Sequence, residues 1–434
     1  MPTIASLIGQ EILDSRGIPT LQVSCVLDSG AHGSFKVPSG ASTGEHEALE
    51  LRDHDPKRYL GKGVLKAVDH VNQEIHQFFS GMAIDDFRLA DEKLIAIDGT
   101  PNKSRLGANA ILGCSVAIFK ALAMHHHLPS YRMLNPSTEF ILPIPMMNVI
   151  NGGLHADNSL DFQELMIRPI QASSFHEALR MGAEVFMHLK KNLKAHRYAT
   201  QVGDEGGFAP DFPSVETALD YLVMSIEHAG YQPGKQVSIA LDCAASSFYD
   251  RSTKKYFELK EKMAGKDFKS FTSDDQILRL KQLSSLYPID SIEDGLDEND
   301  WDGFKKLTSL LGHQLQIVGD DLFVTNPHYL KKGIEQAAAN AILIKLNQIG
   351  TLSETLETIR LAQAHGFGTV ISHRSGETED DFIADLAVGT NSLQIKTGSL
   401  SRSERICKYN RLLAIETALR GHCHYAGLNR SSFA

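Results

Sequence analysis

The chain has 434 residues, of which 42% are hydrophobic, and its formal net charge is −10 at pH 7. This apolar share is enough for a full-sized core and excludes an intrinsically disordered chain. The negative charge argues against a general binder of nucleic acid or of anionic membranes, because both repel an acidic surface. It leaves an anionic substrate open, since a local cluster of cations or metal ions can override the overall charge. A chain of this length predicts two domains, one of them large.

The cysteines and the apolar stretches indicate where the protein resides. The five cysteines are few, odd in number and scattered, which is typical of free thiols in a reducing compartment. Gln10 and Glu11 interrupt the N-terminal apolar residues before a signal peptide could form. The apolar run 141–150 contains two prolines, so it is a poor membrane span. We therefore expect a cytoplasmic protein without direct nucleic-acid binding or membrane insertion. Surface or secreted display by a non-classical route stays an open alternative.

The first third of the sequence predicts a mixed α+β domain. Residues 20–27 are rich in β-branched side chains and predict a strand, which pairs with a second strand at 33–37 across a turn. Helical spacing of apolar residues is found in three segments, 45–52, 64–79 and 109–124. An Asn-Pro pair at 135–136 then breaks the helical pattern. We therefore place an N-terminal α+β domain at residues 1–134 and a second domain at residues 135–434.

The second domain contains a series of short apolar runs, each ending in a charged or strongly polar residue. In chain order these residues are Asp242, Glu293, Asp320, Lys345, His373 and Lys396. Parallel strands that are buried on both faces read as such runs, and in an α/β barrel their carboxyl ends share one mouth. The alternative is an open sheet in which these residues cap strands or pair with helices. Six polar ends in step favour an α/β fold with a C-terminal (β/α)8-type barrel, because unpaired charges at buried strand ends are costly.

The polar strand ends divide into an acidic group and a cationic group. Asp242, Glu293 and Asp320 repel one another unless a hard cation lies among them, and ligation by oxygen alone suits Mg²⁺ or Mn²⁺ rather than zinc. Lys345 and Lys396 belong to the cationic group, together with Arg374, whose guanidinium can hold a phosphate or carboxylate with two hydrogen bonds. This composition predicts a pocket for a metal-bound anionic substrate. A lysine near a second lysine and a divalent metal loses its proton easily and can act as a base.

Ten sequence segments resemble the successive signature segments of the enolase family, in the same order. They are SGASTGEHEALELRD, NGGLHADN, FQELMI, VGDEGGFAP, ALDCAASSFYD, SIEDGLDENDW, GDDLFVTN, ILIKLNQIGT, SHRSGETEDDFIADLAVGT and QIKTGSLSRSER. The resemblance covers nearly the whole chain, and the SHRSGETED and QIKTGS segments are the most specific. It implies the enolase variety of the barrel behind a smaller N-terminal domain. The departures at Ile18 and Ser247 remove no group with a chemical role.

The resemblance implies a lyase that reversibly dehydrates 2-phospho-D-glycerate to phosphoenolpyruvate in glycolysis and gluconeogenesis. Two Mg²⁺ ions per active site are implied, with Mn²⁺ as a substitute. The implied metal ligands are Asp242, Glu293 and Asp320 for the first ion, with Ser39 of the SGASTG loop for the second. Lys345 is implied as the base at C2 and Glu205 as the acid at the leaving hydroxyl. Because of these roles we expect a raised pKa for Glu205 and a lowered pKa for Lys345.

The remaining implied site residues surround the substrate. Glu164 and His155 are implied as further catalytic residues, and the implied substrate-binding residues are His155, Gln163, Glu164, Lys345, His373, Arg374, Ser375 and Lys396. Arg374 and Ser375 are implied to bind the phosphate and Lys396 the carboxylate. Each assignment has a plainer alternative. The SGASTG segment could be a linker, His155 a solvated loop residue, Glu205 a helix cap beside Asp204, and Glu164 a structural partner of a lysine.

Two rival functions stay open from the sequence. One is a racemase or cycloisomerase of the same superfamily, which shares the three metal carboxylates but generally lacks the SHRSGETED segment. The other is an added surface-binding or scaffold role for a catalytically active enolase. The family also implies a homodimer or a higher even oligomer, and nothing in the sequence fixes which.

Overall fold

A computed structural model describes residues 1–40 and 44–427. The strands are β1 Ile4–Leu13, β2 Pro19–Leu27, β3 His32–Lys36, β4 Phe140–Leu142, β5 Ile144–Asn151, β6 Glu164–Pro169, β7 Val237–Asp242, β8 Tyr249–Asp250, β9 Lys255–Phe257, β10 Ser270–Phe271, β11 Ile289–Glu293, β12 Gln316–Gly319, β13 Ala341–Ile344, β14 Gly368–Ser372, β15 Gln394–Lys396 and β16 Cys423–Tyr425. The helices are α1 Leu65–His70, α2 His76–Phe79, α3 Phe87–Asp98, α4 Ala108–His125, α5 Ser130–Leu134, α6 Phe175–Ala195, α7 Val215–His228, α8 Leu259–Met263, α9 Ser273–Leu286, α10 Trp301–Leu311, α11 Pro327–Gln336, α12 Leu346–Ile349, α13 Leu352–Ala364, α14 Phe382–Gly389 and α15 Ser403–Leu419.

The N-terminal domain is a three-stranded antiparallel sheet packed against α4. The predicted pairing of the second and third strands is confirmed, with Val23 opposite Phe35. Helix α4 approaches the sheet so closely that a Cβ on Gly33 would lie 2.4 Å from the carbonyl oxygen of Ala117. Helix α4 is long and apolar enough to cross a membrane, but 83% of it is buried inside the protein. It is therefore the core helix of this domain.

The helix predicted at residues 45–52 is wrong. The described part of this segment has no helical backbone, because its main-chain groups bond to other parts of the molecule instead. The N–H of Ala48 donates to the carbonyl of Gln348 at 2.8 Å, and the carbonyl of Leu49 accepts from Ala108 at 2.8 Å. Tertiary hydrogen bonds satisfy the backbone here, so local helical spacing did not decide the conformation.

The C-terminal domain contains a closed eight-stranded barrel, as predicted. Its strands follow one another around the barrel in the order β5, β6, β7, β11, β12, β13, β14 and β15. The strand β6 runs antiparallel to both of its neighbours, whereas the other adjacent pairs are parallel. Because of this reversal, the first residue of β6, Glu164, lies beside Asp242, the last residue of β7. The start of β6 therefore reaches the same mouth as the ends of the parallel strands.

The barrel interior is filled by side chains rather than left as a pore. A separate apolar cluster occupies it, formed by Met146, Met166, Ala240, Val318, Ala341, Leu343 and Val370, all fully buried. A polar network lies beside it, in which Arg168 donates to Asp290 at 2.5 Å and to Gln394 at 2.8 Å. Complete burial of each large apolar side chain contributes about 1.5–3 kcal/mol. This filling gives the barrel mouth a rigid base.

The N-terminal domain packs directly on a loop at the barrel mouth. Ser39 and Gly376 exchange two backbone hydrogen bonds, at 2.8 and 2.9 Å. A Cβ on Gly376 would lie 2.4 Å from Arg16 Nη2 and from Asp14 Oδ2, so only glycine fits this contact. The N–H of Ser15 also donates to the carbonyl of Glu377 at 2.7 Å. Residues of the first domain therefore fix the loop that carries Arg374 and Ser375.

The cysteines are all free thiols, as the sequence predicts. Cys25, Cys114 and Cys243 are buried, and burial raises the pKa of each thiol. Buried thiols with raised pKa values are inert packing groups.

Candidate active site

Lys396 joins three carboxylates at the barrel mouth. Glu293 lies opposite Asp242 on adjacent parallel strands, and Lys396 ends the strand β15 on the other side of the barrel. Its Nζ donates to Asp242 at 2.8 Å and to Glu293 at 2.7 Å, and it lies 3.2 Å from Glu164 Oε1. All four side chains are buried. The predicted convergence of these strand ends on one site is present in the structure.

Lys345 lies in the same mouth and pairs with the third predicted metal carboxylate. It follows β13 directly, and its Nζ donates to Asp320 at 2.5 Å. Burial on its own would lower the pKa of Lys345, but the nearby acids, Asp320 first and Asp321 after it, together outweigh burial and the pKa is raised. The expectation of a lowered pKa for Lys345 is therefore wrong for the protein without a bound cation. Its physical reason is the ion pair with Asp320, which stabilises the ammonium form.

The donors around Lys396 fit a divalent cation that binds oxygen. Glu293 Oε2 is a buried atom without a hydrogen-bond partner among the described residues. Burial, followed by the charges of Asp242 and Asp320, raises the pKa of Glu293 well above its ordinary value. A cation shared with Asp242 and Asp320 would satisfy the orphaned oxygen and relieve this repulsion. The oxygen-only donor set suits Mg²⁺.

A second acidic group lies beside Asp320 but is already satisfied by the main chain. One oxygen each of Asp294, Asp320 and Asp321 lies within 4.8 Å of the others. The carboxylate of Asp294, however, accepts the backbone N–H groups of Asp320 and Asp321 at 2.9 Å each. Asp294 therefore shapes the turn that presents Asp320, and its oxygens are engaged before any cation binds.

Glu164, Glu205 and His155 form a second buried cluster at the mouth, which adjoins Lys396 through Glu164. Nδ1 of His155 lies 3.6 Å from Glu205 Oε1 and 3.9 Å from Glu164 Oε1, and Asn148 donates to Glu205 at 3.0 Å. Burial and the neighbouring Glu205 raise the pKa of Glu164 well above its ordinary value. Glu164 therefore retains a proton more readily than an ordinary glutamate does.

The expected raised pKa of Glu205 is wrong in this structure, since the raised pKa falls on Glu164 instead. Burial alone would raise the pKa of Glu205, but His373 and His155 outweigh burial and lower it. The sequence did not show that Glu205 has two histidines beside it, while Glu164 has further acids around it. The two glutamates and His155 therefore form one unit in which Glu164 has the higher affinity for a proton and Glu205 the lower.

His373 is oriented by an arginine that the sequence analysis had left without a role. Arg405 Nη1 lies 2.5 Å from His373 Nδ1, and a guanidinium can only donate. Nδ1 is therefore the acceptor, and the ring hydrogen is on Nε2, which lies 3.3 Å from Glu205 Oε2. Burial is the first cause that lowers the pKa of His373, to about 4. His373 is therefore neutral at pH 7.

The lowered pKa of His373 predicts a loss of stability on acidification. The unfolded chain takes up this proton near pH 6.5 and the folded protein only near pH 4, so the contribution is complete above pH 6.5 and is lost as the pH falls towards 4. The shift corresponds to about 3 kcal/mol of unfolding free energy. We expect the His373→Gln variant to show a shallower dependence between these pH values in denaturant unfolding. Parallel curves for the two proteins would contradict the assignment.

The loop after β14 brings Arg374 into contact with the N-terminal domain. Arg374 donates to both oxygens of Glu47, at 2.9 and 3.1 Å, and to Asn347 at 3.0 Å. The geometry is the two-pronged one that the sequence predicts for a phosphate or carboxylate ligand. Ser375 lies next to Arg374 at the mouth, and its carbonyl accepts from Arg405 at 2.7 Å. The guanidinium of Arg374 therefore has the geometry to bind an anion, and here it binds the carboxylate of Glu47.

Ser39, the predicted ligand of the second ion, makes its side-chain contacts within the N-terminal domain. Its side chain is fully buried, its hydroxyl donates to Glu50 at 3.2 Å, and it accepts from Arg52 at 2.8 Å. These contacts lie within the N-terminal domain, and Ser39 is not among the residues that line the barrel cavity. The next residues of the SGASTG segment, 41–43, lie outside the described residues, so the role of this loop in closing over the substrate stays a prediction.

A narrow cavity unites most of the predicted site residues. Its lining comprises His155, Gln163, Glu164, Glu205, Asp242, Lys345, Ser372, His373, Arg374, Ser375 and Lys396. Gln163 precedes β6, and its side-chain oxygen is buried without a hydrogen-bond partner among the described residues. An orphaned acceptor at the cavity wall is free to receive a hydrogen bond from a ligand. Glu293 and Asp320 do not line the cavity themselves. Their carboxylates pair with Lys396 and Lys345, which do.

Four further residues of the site had no role in the sequence analysis. They are Glu47, Asn148, Arg405 and Gln348, whose amide donates to Asp320 at 2.9 Å. Three of them, Glu47, Arg405 and Gln348, lie inside segments that carry the family resemblance. That position was the only sign in the sequence that they belong to the site. Their contacts depend on partners far apart in the chain, so residue spacing alone could not reveal them.

The barrel has one reversed strand, and the acids and lysines at its mouth are of the kinds that bind a metal ion and an anion. The chain matches the family model "Enolase, N-terminal domain" over residues 4–134. It also matches the family model "Enolase, C-terminal TIM barrel domain" over residues 139–433. Since the two matches cover nearly the whole chain, it belongs to the enolase family and is an enolase-family lyase.

Proposed function

We propose that this enolase-family lyase reversibly dehydrates 2-phospho-D-glycerate to phosphoenolpyruvate and water, in glycolysis and gluconeogenesis. The single observation that carries the proposal is the cavity in which Lys345, Glu205 and Arg374 lie together. A base, an acid and an anion-binding arginine are the three groups that this reaction requires of the protein. The racemase and cycloisomerase alternatives have no use for Arg374 and Ser375 as a phosphate site.

Asp242, Glu293 and Asp320 are the residues that would hold the first of two Mg²⁺ ions. When bound, the ions supply positive charge that stabilises the anion formed at the substrate carboxylate. Lys396 then exchanges its carboxylate partners for the substrate carboxylate. Lys345 loses the partner that raises its pKa once Asp320 is engaged by a cation. Its neutral amine can then take the proton from C2.

The leaving hydroxyl needs a proton, because hydroxide is a poor leaving group. We assign its protonation to the unit of Glu205, Glu164 and His155. The proton is stored on Glu164, whose pKa is raised, and Glu205 presents it at C3. His373, with its hydrogen on Nε2, lies 3.3 Å from Glu205 and orients that carboxyl group. The base follows β13 and the acid lies in the turn between α6 and α7, so the two groups reach the mouth from different segments and can act on adjacent carbons.

Turnover of defined substrates by the purified protein tests the proposal. We expect formation of phosphoenolpyruvate from 2-phosphoglycerate in the presence of Mg²⁺, and no dehydration of glycerate, because glycerate lacks the phosphate that would displace Glu47 from Arg374. A protein that racemises or cyclises unphosphorylated carboxylic acids, and leaves 2-phosphoglycerate unchanged, would point to the superfamily alternative. An added surface-binding role would leave this activity intact.

Two exposed apolar side chains of the N-terminal domain support the proposed homodimer. Leu60 is 89% exposed and Ile8 56% exposed, and Leu60 has a left-handed backbone with a φ of 52°. A non-glycine residue rarely adopts this conformation, and exposed apolar side chains in one area are typical of an interface. Arg58 pairs with Glu11 of β1, so the turn that carries Leu60 is tied to the strand that carries Ile8. We propose that the face formed by β1 and the turn that carries Leu60 meets a second copy of the chain.

The Leu60→Asp variant is expected to weaken self-association at least about tenfold, because a charge replaces a buried apolar contact in each protomer. Its folded monomer should be as stable as the wild type, since Leu60 has little contact with its own chain. Leu278, which is 59% exposed on the barrel helix α9, provides the matched control as Leu278→Asp. Native mass measured at several protein concentrations compares the self-association of the two variants with that of the wild type. A variant that stays as associated as the control removes this face from the interface.

A further inference from the structure

Lys260 connects a surface excursion to the mouth loop that carries His155. It lies on α8, between β9 and β10, and its Nζ donates to the carbonyl oxygens of Gly153 at 2.6 Å and Ala156 at 2.8 Å. These two carbonyls flank His155 in the sequence. Its backbone N–H donates to Asp161 at 2.8 Å, so Lys260 contacts both ends of the loop 152–162.

The ammonium group is directed at the main chain although acids surround it. The charges of Asp157, Asp161 and Asp211 act on Lys260, while burial lowers its pKa. A lysine that served only as a counter-ion would extend to one of these carboxylates in solvent. Both Nζ contacts instead go to carbonyl oxygens, which are charge-assisted hydrogen bonds of fixed direction. The contact therefore constrains the path of the loop backbone.

The two halves of the loop are held by different groups. Asn158 donates to the carbonyls of Asn151 and Pro210, at 2.9 and 3.2 Å, and so fixes the second half. In the first half, the N–H groups of Gly153 and His155 bond to carbonyls of the loop itself. The carbonyl of His155 accepts the N–H of Asp204, from the Glu205 segment, at the longer distance of 3.3 Å. The two bonds from Lys260 are short external contacts to the first half, beside the bond from the Gly152 N–H to the carbonyl of Gln163 at 2.9 Å.

We propose that Lys260 is a positioning residue for the dehydration: by holding Gly153 and Ala156, it fixes His155 beside Glu164 and Glu205. The proposal rests on the proposed function, because it assigns His155 to proton transfer at C3. His155 Nδ1 lies 3.6 and 3.9 Å from the two glutamates, so a shift of about 1 Å in the loop would separate the unit. Lys260 does not line the cavity, and it acts through the loop alone.

The Lys260→Met variant keeps the apolar stem of the side chain and removes the donors. We expect its kcat to fall about tenfold while KM changes less than about twofold, because the proposed phosphate contacts lie in the loop after β14 and the proposed carboxylate contact on β15. The pH profile of kcat should shift, since the coupling of His155 to Glu164 and Glu205 changes. Lys260→Arg keeps a charged donor and should recover most of kcat. Lys266→Met, an exposed lysine of the same excursion that pairs with Glu261, should behave as the wild type.

Hydrogen exchange of the protein without substrate tests whether Lys260 holds the loop 152–162, independently of catalysis. We expect amides of 152–162 to exchange faster in Lys260→Met, with unchanged exchange in β7 and β13. A kcat within twofold of the wild type, or a loss that Lys260→Arg does not recover and that accompanies faster exchange throughout the barrel, would overturn the proposal. Absence of wild-type turnover would count against the proposed function, and the exchange result would still decide whether Lys260 holds the loop.

Discussion

Replacement of Lys345 by alanine is expected to lower kcat by a factor of about 10² to 10⁴, the usual contribution of a general base. The reason is that Lys345 is the amine placed at the mouth beside Asp320, at 2.5 Å, while Lys396 is occupied by three acids. Exchange of the C2 proton of 2-phosphoglycerate with deuterated solvent measures this step directly. We expect the exchange to fall with kcat, whereas a residue that acts only at C3 would leave the exchange in place.

Two further variants distinguish the loss of the base from a loss of the folded structure. Lys345→Arg keeps a cation for Asp320 but cannot lose its proton near neutral pH, so it should be folded and equally inactive in exchange. Lys306→Ala removes an exposed lysine that pairs with Asp274 on the surface, and it should match the wild type. C2 exchange close to normal in Lys345→Ala, with thermal unfolding unchanged, would remove Lys345 from the role of base.

The Glu293→Gln variant is expected to lose at least about 100-fold in Mg²⁺ affinity, because it removes one charged ligand from the barrel mouth. The variant should be at least as stable as the metal-free wild type, since the pKa of Glu293 is raised by burial and by Asp242 and Asp320. Mg²⁺ at 100 times its dissociation constant should stabilise the wild type by about 2.7 kcal/mol and the variant by much less. Calorimetric titration and thermal unfolding measure the two effects.

Glu357→Gln gives the matched control, because it neutralises an exposed acid on the outer helix α13. It should bind Mg²⁺ as the wild type does. Equal Mg²⁺ affinity in Glu293→Gln and in this control would show that the cation binds elsewhere.

The barrel and its mouth could be predicted because their signal is local. Each parallel strand is a short buried apolar run, and the next polar residue lies at the mouth by geometry alone. The strand β6 could not be recognised in this way. It runs antiparallel to its neighbours, so the residue that it places at the mouth, Glu164, is its first residue and not its last. The same reversal explains why Glu164 did not belong to the series of polar strand ends.

The protonation states could not be predicted because they depend on partners that only folding brings together. Arg374 and Glu47 are 327 positions apart in the chain and form a bidentate pair. Likewise, the sequence did not show that Lys345 pairs with Asp320 or that histidines surround Glu205. Each of these contacts reverses or redirects an expectation that was drawn from residue type alone. The residue types of the site were therefore predictable, whereas their charge states in the metal-free protein were not.

Titration of C2-proton exchange with Mg²⁺ tests the central claim most directly: buried acids at the barrel mouth gather divalent ions so that a neutral lysine can remove a carbon-bound proton. The wild-type protein should show no exchange of 2-phosphoglycerate after chelation, and exchange should return and saturate as Mg²⁺ is added. Exchange that persists without divalent ions, or that is absent at saturating Mg²⁺ in a fully folded protein, would contradict this account.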